Sequence, residues 1–102
     1  MTAQEAKVLH TVDNTYYIDI RDALLRLEEN EDFKKVILKG YLEDKALASV
    51  SLLARHDIKK RGERPDVMED LVAISSFKEY LFMIHQLGES AQYDEDEINL
   101  GE

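Results

Sequence analysis

Apolar residues recur at helical spacing along most of the chain. Tyr17, Ile20, Leu24 and Leu27 follow the helical period, and Tyr16, Ala23 and Leu25 widen the same face. Arg21, Arg26, Glu28 and Glu29 fall off that face. Asp13-Asn14-Thr15 is a run of residue types that cap helix starts, so a first helix is expected over 15–29. Upstream, Ala3 to His10 fits a short helix and Val8 to Val12 fits extended chain equally well. Asn30-Glu31-Asp32 makes a tight connection in which Asp32 or Asn30 can cap a second helix over 32–56. Pro65-Asp66 opens a third over 66–90, where Asp66, Glu69 and Asp70 complement the positive end of the helix dipole. Its core row is Val67, Leu71, Ile74, Phe77, Leu81, Ile84 and Gly88, with a second row of Met68, Val72, Phe82, Met83 and Leu87. Residues 57–65, with Gly62 and the chain's only proline, are expected as a loop.

The second helix is unusual because it is apolar on two sides. One row is Phe33, Ile37, Gly40, Leu47, Val50 and Ala54, interrupted by Asp44; the other is Leu38, Leu42, Ala46 and Leu53. A helix on a small core needs one apolar stripe, and a wider one must be covered twice. A chain of 102 residues has little to spare for a second cover. A second copy is therefore expected, with Leu38, Leu42, Leu53, Phe82 and Met83 as the self-association positions. Gly40, followed by Ala46, Ala48 and Ser49, points to close approach by a neighbouring helix. Asp44 is expected to pair with Arg26, to pair with Lys45 of another subunit, or to lie at the edge.

The fold class is all-α. The expected architecture is a three-helix protein built on a long antiparallel hairpin of 32–56 and 66–90, with 15–29 packed across it. One domain is expected over 1–93, followed by an acidic, disordered tail over 94–102.

Composition narrows the function classes. The chain has no cysteine, which excludes disulfides, thiolate metal sites and a cysteine nucleophile. No apolar run approaches the roughly 20 residues that span a bilayer, and the start is unlike a signal peptide, so a soluble, cytoplasmic protein is expected. The net charge of −9 disfavours nucleic acid and anionic membranes as partners. Acids gather at Glu28, Glu29, Glu31 and Asp32 and again over 94–97. Against them, Arg55, Lys59, Lys60, Arg61 and Arg64 outnumber Asp57 and Glu63. Lys59, Lys60, Arg61 and Arg64 are the candidate anion contact, and a solvated loop is the plainer reading.

Candidate chemistry is thin. His10, His56 and His85 belong to no metal-binding or carboxylate-histidine motif, and His56 is expected at a helix C-terminus. The acid pairs Glu43-Asp44 and Glu69-Asp70 suit solvated faces and caps. Ser75-Ser76 and Ser49-Val50-Ser51 lie in helix interiors, without the strained turn and base a nucleophile needs. The sequence points to no cofactor, no metal and no enzyme.

The pattern Arg21-x-x-Leu24-x-x-Leu27-x-x-Asn30-x-Asp32-Phe33-Lys34-x-x-Ile37-x-x-Gly40-Tyr41 resembles a group of small helical proteins of tailed bacteriophages. Asp70-Leu71-x-Ala73-Ile74-x-x-Phe77-x-x-Tyr80-Leu81 is similar to their C-terminal helix. The resemblance spans about residues 20–91 and rests on core positions. It implies a minor virion or assembly component located in the virion or host cytoplasm, and it implies no site residues. Tyr16-Tyr17 and the basic segment 59–64 find no match in that group.

Three functions follow as expectations. The first is a non-enzymatic structural or assembly protein that self-associates through its helices, alone or with another phage or host protein. The second is an acidic module that binds and inhibits a host nucleic-acid-binding or defence protein. The third is an oligomer that sequesters nucleotides between subunits.

Overall fold

A computed structural model describes residues 3–100, with side-chain surroundings from Asp13 onward. The described residues are helical, with no strand among them. Helix α1 runs Ala3–Glu28. A turn of α-helix at Glu31–Phe33, a π-helix at Lys34–Asp44 and an α-helix at Lys45–Leu53 follow without a break and form α2 (31–53). Helix α3 is the short His56–Lys60, and α4 is the long Arg64–Leu100. The chain divides into two compact units, where one domain over 1–93 was expected. One unit takes α1 as far as Leu27 together with the chain from Leu81 onward, and the other takes 28–80.

Within the second unit, α2 and the first part of α4 form an antiparallel hairpin. The rings of Tyr41 and Phe77 meet edge to face at 5.8 Å, and the Arg64 Nε–H donates to the Leu53 carbonyl at 3.1 Å. Leu42, Ile58, Val67 and Ile74 are buried there. Burying a side chain of this size contributes about 1.5–3 kcal/mol. Asn30 starts α2 by accepting from the Phe33 N–H at 2.9 Å, as its residue type foretells.

The π-helix brings the start of the second apolar row to the inner side. Each hydrogen bond in it spans five residues instead of four, as where the Lys45 N–H reaches the Gly40 carbonyl. The helix therefore turns less per residue over 34–44, and the rows expected from an α-period drift round it. Leu38, Leu42, Ala46 and Leu53 stay on the inner side, buried or half-buried. The other row begins half-buried at Phe33 and Ile37, then emerges into solvent at Leu47, Val50 and Ala54. Gly40 does not mark a neighbouring helix. A Cβ there would meet the Lys35 carbonyl of its own helix at 3.0 Å. Asp44 pairs with Lys39 at 3.1 Å, five residues back along the π-turn.

Three further expectations are corrected. The helix expected to begin near Asp13 already runs from Ala3, because Asn14 is a buried partner within it and not a cap. The loop over 57–65 holds α3, whose Ile58 is 5% exposed and anchors the segment. That short helix ends in a Schellman motif. The Glu63 N–H reaches the Ile58 carbonyl and the Gly62 N–H the Lys59 carbonyl, with Gly62 at φ +70°. The acidic stretch from Asp94 is helical through Leu100, with Glu95 tied to α1 and Asp96 accepting from Gln92.

Candidate interaction surfaces

The first unit is an antiparallel pair of helices seamed by polar residues. Leu24 of α1 and Leu81, Ile84 and Ala91 of α4 are buried. Between these apolar layers lies Arg21, whose side chain is only 15% exposed. It donates to the Gly88 carbonyl at 3.3 Å, to the Gln92 amide oxygen at 3.2 Å and to Asp22 at 2.9 Å. Seven residues earlier on α1, buried Asn14 donates to Glu95 at 3.3 Å, seven residues later on α4. This heptad spacing in opposite directions fixes the antiparallel register.

Gly88 permits the seam. A Cβ at that position would lie 2.7 Å from the Arg21 Cγ and 2.8 Å from its Cδ. Sequence reasoning put Gly88 in the core row correctly and Arg21 off the apolar face. A charge in a helix reads as solvent-facing, and only the register of α4 reveals that it crosses a glycine. The seven-residue recurrence of Asn14, Arg21 and Glu28 was the available signal.

Beside this seam is an open cleft of about 190 Å³, lined by Asp13, Asn14 and Tyr17 of α1 and by Leu87, Ser90 and Asp94 of α4. It is smaller than the roughly 300–1,000 Å³ of a typical ligand pocket. Two carboxylates on its wall make it a poor seat for phosphate.

The predicted self-association residues separate into two sets. Leu42 is 9% exposed and belongs to the core of its own unit, so it is not available to a partner. Leu38 and Leu53 are half-buried beside it. Phe82 and Met83 stand out at 60% and 45% exposure. Sequence reasoning did not select Leu47 and Val50, at 68% and 54%, or Met68 and Val72, at 55% and 56%. Leu47 and Val50 fall away from the inner side marked by Leu42, Ala46, Ser49 and Leu53, and Met68 and Val72 belong to the second row of α4.

The basic segment is largely occupied with itself. Arg55 forms a two-pronged bond to Asp57, at 3.0 and 2.6 Å, and holds that carboxyl below the usual aspartate range. Arg61 pairs with Glu63 at 3.1 Å and lies 3.8 Å from Asp57, and Arg64 is turned to the Leu53 carbonyl. Lys59 and Lys60 are exposed on α3. His56 opens α3 instead of closing α2, and His85 is half-buried on α4. Among the described residues, no group of three or more histidines and carboxylates is arranged to hold a metal ion. None of the helices searched is long and apolar enough to cross a membrane. Compared with protein-family models, curated proteins and solved structures, the chain matches none.

Proposed function

We propose that this chain is a structural or assembly protein that works by helix-to-helix association with copies of itself. The carrying observation is the balance of its apolar side chains. Fourteen large ones are exposed among the described residues, against eight apolar side chains in the core, and no large side chain is fully buried. A contiguous exposed apolar patch larger than a few hundred Å² marks an association site. The resemblance to small tailed-phage proteins supports the same reading and suggests a virion or assembly role.

Light scattering coupled to size exclusion tests the proposal. A discrete oligomer at micromolar concentration is expected. A clean monomer would overturn it and direct attention to the acidic surfaces as docking sites for a foreign protein.

A further inference from the structure

The unit made of residues 28–80 carries an apolar patch whose placement follows from its register. Tyr41 meets Phe77, and Arg64 reaches the Leu53 carbonyl, so α2 and α4 run antiparallel with residue numbers that fall on one helix as they rise on the other. Val50 therefore lies level with Met68, and Leu47 with Leu71 and Val72. The inner sides are marked by Leu42 and Ser49 on α2 and by Val67 and Ile74 on α4. Tyr41 and Phe77 close one flank of the hairpin. Counting at 3.6 residues per turn puts Leu47 and Val50 on the other flank of α2, and Met68 and Val72 on the same flank of α4. All four are more than half exposed. Small residues, Ala54 and Ser75, border them.

We infer that this flank of the hairpin is where a second copy docks, as a two-fold dimer in which α2 lies antiparallel on α2 of the partner and α4 on α4. The inference rests on the self-association proposed above and names its surface. Charge selects the second copy and its orientation. One end of the patch adjoins the segment carrying Lys59, Lys60 and Arg64, and the other end carries exposed Glu43 and Glu79. A two-fold axis across the helices lays the basic end of each copy on the acidic end of the other. An axis along the helices would stack like charges and is disfavoured.

The test uses the full chain and its lack of cysteine. Val50→Cys is the only thiol in its variant and lies close to the axis, so a short bis-maleimide should link two copies efficiently, while Phe82→Cys should link poorly. Val50→Glu combined with Val72→Glu should raise the dimer dissociation constant about tenfold or more with helicity unchanged by circular dichroism. Glu43→Lys with Glu79→Lys should weaken the dimer at low salt, and adding Lys59→Glu with Lys60→Glu should restore it. If the native chain is monomeric, the self-association reading falls and this inference with it. If the native chain is oligomeric but Val50→Cys does not link, or the paired glutamates leave association intact, the docking surface named here is wrong and self-association stands.

Discussion

Gly88 is the residue on which the α1–α4 pairing depends. A methyl group there would press on the Arg21 stem close to its backbone, where the side chain has little freedom to move aside. Overpacking of this kind costs about 1–3 kcal/mol. Gly88→Ala should destabilise the chain by that amount in urea unfolding, although alanine is the better helix former. Gly62 offers the contrast. Nothing lies within 4 Å of a Cβ built there, but its φ of +70° penalises any side chain. Gly62→Ala should cost about 1–2 kcal/mol through the backbone alone. Asp57 makes a third prediction. The Arg55 guanidinium bonded to it, assisted by charge from Arg61, lowers its pKa below the ordinary 3.8. A folded-state value below the unfolded one stabilises the chain above the ordinary range and is lost as pH falls through the folded value. A carboxyl-carbon NMR titration should place Asp57 below 3.8 in the native chain and return it to the ordinary value in Arg55→Ala.

At the scale of elements, the π-helix decides what the hydrophobic pattern means. An α-period makes 32–56 apolar on two sides. The π-turns bring Phe33 and Ile37 round to the side of Leu42, half-buried, while Leu47 and Val50, in the α-helical part that follows, stay at the surface. Gly40→Ala is the direct probe. In an α-helix it would stabilise by about 1 kcal/mol. Here the new Cβ meets the Lys35 carbonyl at 3.0 Å, so no such gain should appear in chemical denaturation. The helical class, a cap within Asn30-Glu31-Asp32 and the core row of α4 were legible because each rests on local chemistry or on a strict 3.6-residue period. The π-helix was not legible, since no residue type announces a five-residue hydrogen bond. The seam of Arg21 and Asn14 was hidden for a different reason. Polar residues read as solvent-facing until the partner helix, with its glycine and Glu95, is laid against them. The helix over 94–100 was missed because acids at a helix C-terminus oppose the dipole. The bonds of Glu95 to Asn14 and of Gln92 to Asp96 add support that composition does not reveal.

For the whole molecule, the account turns on surface. Leu47, Val50, Met68, Val72, Phe82 and Met83 are all exposed. The net charge of −9 opposes close approach of copies, so association must bury apolar area and pair the basic segment with acids. Raising salt should screen the overall repulsion and the paired ends together, while the apolar contribution persists. The most direct measurement is sedimentation equilibrium of the native chain from low to high micromolar concentration. The account predicts a discrete oligomer, beginning with a dimer of about twice the 11.8 kDa chain mass. A single species of the chain mass across that range would contradict it.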